Sequence, residues 1–125
     1  MEILSARVIL RPADYERTLA FYRDLLGLAT YREYPGGTVF FAGQSLLEVA
    51  AHGEHRGTFS GALWLQVRDI AAARAELSAA GAPIAREPRQ EPWGLREMWI
   101  SDPDGVSIVL VEIPADHPLR RDTRD

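Results

Sequence analysis

The sequence contains no cysteine, no lysine and no asparagine, and its three histidines are His52, His55 and His117. Without cysteine the chain can form neither a disulfide nor a thiolate metal site. The net charge of −4 argues against non-specific binding to nucleic acid, which needs a basic surface, although it is compatible with a cationic ligand. No apolar run approaches the ~20 residues of a membrane-spanning helix, and the first residues lack the pattern of a signal peptide. We therefore expect a cytoplasmic protein without a membrane partner.

A length of 125 residues, with 46% hydrophobic and 26% charged residues, is typical of one globular domain covering residues 1–125. The sequence repeats one pattern, in which an alternating apolar run ends in an aspartate suited to cap a helix. The two runs are Arg7–Asp14 and Ala62–Asp69. The predicted helices are Tyr15–Leu26 and Ile70–Ala80, closed by Gly27 and Gly81. The repeat predicts two strand–helix–three-strand modules that share a groove.

Turn residues divide each half of the chain into strands. The predicted strands of the first half are Ile3–Arg11, Ala29–Tyr34, Thr38–Ala42 and Ser45–Ala51. Those of the second half are the run from Ala62, Pro83–Arg86, Leu95–Ser101 and Val106–Ile113, with a loop at Arg89–Trp93 and a turn at Asp102–Gly105. Module one thus covers about residues 3–51, a linker 52–61, module two 62–113 and a mobile tail 114–125.

Two segments carry a family resemblance. The first segment is Tyr15–Leu28. The second consists of Trp93-Gly94, a strand, the Asp102–Gly105 turn and a last apolar strand that ends in Glu112. Together they resemble the glyoxalase/bleomycin-resistance/dioxygenase superfamily, over about residues 3–113. The resemblance implies an α+β fold of two pseudo-symmetric βαβββ modules that form a half-open barrel. It also implies a homodimer, since a second chain frequently completes this barrel.

The enzymes of that superfamily hold a divalent metal with four side chains, from the first and last strand of each module. Carried over to this sequence, the four positions are Arg7, Glu48, Ala62 and Val109, the last becoming Leu110 in an alternative register. Only Glu48 has a donor atom for a metal, because an arginine does not lose its proton. We therefore expect no metal and no cofactor. The pair His52 and His55 could bind zinc, but its position on a polar loop favours a solvated linker.

Alternation along the strands predicts which side chains line the groove. The candidate ligand-binding residues are Arg7, Phe40, Glu48, Trp64, Gln66, Trp93 and Trp99, with Phe41 as the alternative to Phe40. Such a set suits a flat organic ligand, because aromatic rings stack and the few polar groups anchor it. The tryptophans could instead fill a closed barrel, and Arg7 with Glu48 could be a structural ion pair. Trp93 could equally cap the barrel end or lie in a dimer interface.

The sequence favours a metal-free protein that binds or sequesters a small, partly aromatic molecule, with resistance to a natural-product antibiotic as the expected role. The resemblance leaves an enzyme as the alternative: a lyase, isomerase or dioxygenase with unusual metal ligands, or one that uses Glu48 as a general base. Burial would raise the pKa of Glu48 towards the working pH, but a neighbouring Arg7 would lower it again. This opposition disfavours the enzyme, and no catalytic residue is assigned.

Overall fold

A computed structural model describes residues 1–54 and 56–120 of the chain. Its strands are β1 (Arg7–Leu10), β2 (Thr30–Tyr34), β3 (Gly37–Ala42), β4 (Ser45–Ala50), β5 (Ala62–Gln66), β6 (Ile84–Gln90), β7 (Arg96–Ser101) and β8 (Ser107–Glu112). The helices are α1 (Tyr15–Ala20), continued by a π-helical turn at Phe21–Leu25, and α2 (Ile70–Ala79), with a short 3₁₀ turn at Pro118–Arg120. None of the helices in the described residues is long and apolar enough to cross a membrane.

The chain forms two compact units. The first comprises Met1–Ser60 with Asp102–Val106, and its strands form one sheet in the order β1-β4-β3-β2. Strand β1 runs parallel to β4, and the other neighbours are antiparallel. Tyr15 of α1 shares a hydrogen bond of 3.1 Å with the hydroxyl of Thr38, so this face of the sheet packs against the helix.

The second unit comprises Gly61–Ser101 with Ser107–Asp125 and repeats the same topology, in the order β5-β8-β7-β6. Strand β5 runs parallel to β8, as β1 does to β4. The helix side of the sheet is apolar: its buried residues are Leu63, Met98, Ile100, Ile108 and Leu110, with Ile70 and Leu77 from α2. The α+β fold of two βαβββ modules is therefore confirmed. Each sheet is open, and neither closes on itself into a barrel.

The helix boundaries follow the short-range signals in the sequence. Asp14 accepts a hydrogen bond from the backbone N–H of Arg17 at 3.2 Å, and Asp69 accepts one from Ala72 at 3.1 Å. Gly27 and Gly81 follow the two helical segments with φ of 69° and 79°, which glycine adopts without steric cost. The capping predictions are confirmed.

Two predicted elements of the first unit differ from the structure. The first strand begins at Arg7 and not at Ile3, because Arg7 pairs with Leu46 and β4 itself begins only at Ser45. The helix predicted over Tyr15–Leu26 changes to π-helical geometry at Phe21, where the Leu26 N–H donates to the Phe21 carbonyl at 2.9 Å. The other strand ends in this unit agree with the prediction to within one residue.

Strand β6 is longer than predicted. It covers Ile84–Gln90, so it includes Pro88 and the first two residues of the predicted loop Arg89–Trp93. The strand lies at the edge of its sheet, and its pairing with β7 shifts register twice. A proline is tolerated in such a position because an edge strand has N–H groups that no neighbour needs.

The segment from Asp102 to Val106 belongs to the first unit. The Asp102 carboxylate is 5% exposed and accepts a hydrogen bond of 2.8 Å from the Tyr22 hydroxyl. Its other oxygen accepts from the backbone N–H groups of Asp104 and Val106 at 2.8 and 2.9 Å. The turn is therefore tied to the π-helical segment by a buried side-chain network.

Candidate functional site

In the first unit, the parallel pairing of β1 with β4 brings Arg7 and Glu48 together. Arg7 pairs with Leu46, so Arg7 and Glu48 lie on the same face of the sheet, opposite to the helix. Arg7 Nη1 donates to Glu48 Oε1 at 3.0 Å. Their side chains are 34% and 9% exposed, so Glu48 is buried while Arg7 remains partly open to solvent. The expected Arg7–Glu48 pair is therefore present.

Tyr34 is a second donor to Glu48 that the sequence did not indicate. Its hydroxyl makes a short hydrogen bond to Glu48 Oε2 and lies 3.2 Å from His52 Nε2. The ring reaches Glu48 by lying across Gly37, where a Cβ atom would come within 2.6 Å of the Tyr34 hydroxyl oxygen. The signal was the pair of glycines after Pro35, which reads as a turn but also makes room for a ring.

These hydrogen bonds set the protonation states of the pair. Burial opposes ionisation of Glu48, but the hydrogen bonds from Tyr34 and Arg7 outweigh it and hold the pKa of the carboxyl below its ordinary value. Burial, followed by the hydrogen bond to ionised Glu48, raises the pKa of Tyr34 to about 12. Near neutral pH, Glu48 is therefore a carboxylate and Tyr34 a neutral donor.

The four positions that carry metal ligands in the superfamily's enzymes do not form a donor set in this chain. Arg7 is a cation already bound to Glu48, and Ala62 and Val109 have no donor atoms, nor has Leu110 in the alternative register. Among the described residues, no three histidine, aspartate or glutamate side chains are grouped so as to hold a metal ion. His52 contacts Tyr34, whereas His55 lies outside the described residues. One carboxylate does not meet the ligand requirement of a divalent cation.

In the second unit, the sheet face opposite to α2 carries the two predicted tryptophans of the strands. Trp64 of β5 pairs with Val109 of β8, and Val109 pairs with Trp99 of β7, so the three side chains form one row. Trp99 packs against a buried cluster of Leu95, Val109, Val111 and Ile113. Trp64 is 51% exposed although it stands on a regular strand. The row therefore has a packed, partly buried end at Trp99 and an open end at Trp64.

The next row of the same face is polar. Gln66 pairs with Val111, which pairs with Glu97, so the predicted Gln66 does share the face of Trp64. Gln66 is exposed and Glu97 is buried. Sequence reasoning did not assign Glu97 a role, although a glutamate two residues before Trp99 in an apolar strand was a visible signal.

Trp93 is held in place by three contacts of its loop. Its indole Nε1 donates to Glu97 Oε2 at 2.9 Å, and its carbonyl lies 3.1 Å from Nε2 of His117. Gly94, at φ 92°, closes the turn by donating to the Glu91 carbonyl at 2.9 Å. The ring is nevertheless 58% exposed. His117, in the segment expected to be a mobile tail, thus contacts the loop, and residues 121–125 of that tail lie outside the described residues.

The choice of Phe40 as a groove residue is not supported by the strand register. Phe40 pairs with Leu47 and shares the helix-facing side of the sheet with Thr38, where it is fully buried. Phe41 pairs with Leu46 and therefore lies on the face of Arg7 and Glu48, with 43% of its surface exposed. The alternation of β3 alone could not decide this, because both neighbours are phenylalanine.

The sequence over residues 5–110 matches the family model described as the Glyoxalase/Bleomycin resistance protein/Dioxygenase superfamily. The chain belongs to this superfamily. The predicted resemblance is confirmed, and the match covers both modules. A search of curated protein sequences gave no match.

Solved structures of the superfamily share the fold. TnmS3, an antibiotic binding protein from Streptomyces sp. CB03234, is 24% identical, with a TM-score of 0.78 over 91% of this chain and 99% of that chain. A glyoxalase/bleomycin resistance protein from Catenulispora acidiphila DSM 44928 is 27% identical, with a TM-score of 0.71 over 90% and 100%. A lactoylglutathione lyase from Agrobacterium tumefaciens is 20% identical, with a TM-score of 0.68 over 89% and 92%. Proteins described as a binder and as an enzyme thus share this fold, and the site residues must decide between them.

Proposed function

We propose that the protein binds and sequesters a small, partly aromatic molecule without a catalytic metal. The binding residues in this proposal are Arg7, Phe41 and Glu48 in the first unit and Trp64, Gln66, Trp93 and Trp99 in the second. The antibiotic-binding function of TnmS3 supports a natural-product antibiotic as the ligand and resistance as the role. A homodimer in the cytoplasm remains part of the proposal, and light scattering tests the expected mass of two chains.

The observation that carries the proposal is the exposure of Trp64. Trp64 stands on a regular strand and pairs with Val109, so its backbone is already fixed and a ligand has less conformational freedom to remove. Half of its surface is open, although indole is among the most costly side chains to leave in water. A planar ligand that stacks on Trp64 would cover this surface and also reach the amide of Gln66.

The state of Glu48 supports a binder over an enzyme that uses this residue as a base. A general base must have a free lone pair directed at the substrate and a pKa near the working pH. Both Glu48 oxygens already accept hydrogen bonds, from Arg7 and Tyr34, and its pKa is lowered. A weakly basic, occupied carboxylate is a poor proton acceptor and a good structural anchor.

We expect the purified, tag-free protein to contain far less than one equivalent of zinc, nickel, iron or manganese. The reason is the donor set, which offers Glu48 alone at the four positions where the superfamily's enzymes bind their metal. Elemental analysis after dialysis measures the content. A stoichiometric metal that survives dialysis would contradict the proposal and favour a metal-dependent enzyme instead.

We expect planar aromatic antibiotics to quench the tryptophan fluorescence saturably and to be recovered chemically unchanged. Trp64→Ala should weaken binding by roughly 1–3 kcal/mol, the usual cost of truncating an aromatic anchor. Isothermal titration calorimetry measures the affinity, and mass spectrometry of the recovered ligand tests for turnover.

Phe59→Ala is a matched control for this variant, because Phe59 is a partly exposed aromatic residue in the linker and not on a sheet face. Its affinity should remain that of the wild type. A new product in the mass spectrum would identify an enzyme. A broad aromatic panel without any fluorescence change, together with a Trp64→Ala variant that only melts at a lower temperature, would show that the tryptophans serve stability alone.

A further inference from the structure

On the sheet face of the first unit that lies opposite to α1, the charge of Glu48 is not available to a cationic ligand. Glu48 is 7% exposed, and Arg7 and Tyr34 each donate to one of its oxygens. A cationic ligand would have to displace one of these donors and then bury its own charge beside a guanidinium. The net charge of −4 for the whole chain therefore does not describe this face of the sheet.

The charge that remains available on this face is positive. A guanidinium carries five N–H donors, and Arg7 directs Nη1 at Glu48 while its side chain stays 34% exposed. The guanidinium carbon of Arg32 lies 5.7 Å from the centre of the Tyr34 ring, and Arg32 is exposed. Within the described part of the chain, no carboxylate forms an ion pair with Arg32. Arg7 thus borders the neutralised carboxylate, and Arg32 adds a second guanidinium beside the Tyr34 ring.

An aromatic wall stands in the same row as Arg7. Arg7 pairs with Leu46 of β4, and Leu46 pairs with Phe41 of β3, so the three side chains lie side by side. The Phe41 ring contacts Tyr31 edge to face, with centroids 5.1 Å apart and an angle of 72° between the planes. The two rings are 43% and 50% exposed. An open aromatic surface therefore lies in the same row as the donors of Arg7, with Leu46 between them.

We infer that the ligand held by this face is a planar aromatic acid, whose ring packs on Phe41 and Tyr31 while its carboxylate, or an equally charged oxygen, accepts from Arg7. The inference rests on the proposed binding function and narrows its ligand class. Guanidinium is the side chain best matched to such an oxygen pair, because two of its N–H groups can donate in parallel.

Tyr34 is a positioning residue in this arrangement. Its hydroxyl holds Glu48 Oε2, which keeps Oε1 directed at Arg7 Nη1 and fixes the guanidinium in one orientation. An arginine that is already oriented loses less conformational entropy when a ligand binds. Tyr34→Phe should therefore weaken binding of the acid while leaving the affinity for a neutral aromatic analogue unchanged.

The test compares three probes of one shape: 2-naphthoate, 2-naphthamide and 2-naphthylmethylammonium. The wild-type protein should bind the acid at least about tenfold more tightly than the amide, the effect of one charge-assisted hydrogen bond, and should bind the ammonium ion least. Isothermal titration calorimetry measures all three affinities. Arg7→Met should remove the advantage of the acid, whereas Arg17→Met, a change of an exposed arginine on α1, should keep it.

A second variant protects the test against misfolding. Arg7→Met combined with Glu48→Met removes both charges of the pair, so no buried carboxylate is left without its partner. This double variant should fold and bind the acid and the amide equally. Equal affinities in the wild type, or an advantage of the acid that survives the double variant, would overturn the inference and leave the proposed function standing. If no aromatic probe binds, charged or neutral, both the inference and the proposed function are wrong.

Discussion

Asp102→Ala is expected to lower the free energy of unfolding by about 3–4 kcal/mol, the scale for removing one member of a buried, charged network. The side chain is 5% exposed, and its two oxygens accept from the Tyr22 hydroxyl and from the N–H groups of Asp104 and Val106. Alanine would leave three donors without their partner. Urea denaturation followed by circular dichroism measures the loss.

The loss of the acceptor for the Tyr22 hydroxyl is expected to account for most of this destabilisation. The residue is 0% exposed, and burial, then the charge of Asp102, raises the pKa of its hydroxyl well above the ordinary value. The hydroxyl therefore stays a donor throughout the neutral range. In the variant it would have to remain buried without an acceptor or force the π-helical segment open, and both cost free energy.

Asp104→Ala is the matched control, because it removes the same side chain from the same turn. The Asp104 carboxylate accepts from the N–H of Ala13 at 3.1 Å in an exposed position, where water can replace it. Its loss of stability should be clearly smaller than that of Asp102→Ala. Equal losses for the two variants would show that the buried contact to Tyr22 contributes little.

The parts of the fold that the sequence predicted are those encoded within a few residues. Asp14 and Asp69 cap their helices through contacts three residues away, and Gly27 and Gly81 end them through their own backbone angles. The family resemblance extended these local signals to two βαβββ modules. The succession of helices and strands along the chain was therefore predictable without any knowledge of side-chain packing.

The features that escaped prediction depend on contacts between distant residues. The length of β1 is set by where β4 begins, and the acceptance of Pro88 in β6 depends on that strand being at a sheet edge. The π-helical geometry after Ala20 coincides with burial of Phe21 and of Tyr22, whose partner Asp102 is 80 residues away. None of these partners is visible in a local window of sequence.

In the candidate site, too, the features encoded locally were predicted and those that depend on distant contacts were not. Alternation and the superfamily positions placed Arg7 beside Glu48, and the structure confirms that pair at 3.0 Å. Alternation could not separate Phe40 from Phe41, since a shift of one residue exchanges the two faces of a strand. It also could not find Tyr34, because its hydroxyl reaches Glu48 only by crossing Gly37.

That crossing gives the second large prediction, which is that Gly37→Ala destabilises the protein by about 2–3 kcal/mol, the upper range for overpacking. A Cβ at this position would lie 2.6 Å from the Tyr34 hydroxyl oxygen and 2.9 Å from the carbonyl oxygen of Val49. The carbonyl belongs to the β4 backbone and cannot withdraw. The Tyr34 ring can withdraw only by giving up its hydrogen bond to Glu48. Thermal and urea denaturation measure the loss.

Gly36→Ala, one residue earlier, is the matched control. Its Cβ would come within 3.1 Å of the ring of exposed His52, which can turn away, and would meet the Tyr34 ring at 3.4 Å, an ordinary contact distance. A comparison in the Tyr34→Ala background then assigns the cause. Without the ring, Gly37→Ala should cost less, since only the Val49 carbonyl remains in its way, and the difference is the coupling between Gly37 and Tyr34. A Gly37→Ala variant as stable as the wild type would mean that the Tyr34 ring does not lie across this glycine. In that case Glu48 would depend on Arg7 alone, and Tyr34 would lose its role in orienting the guanidinium.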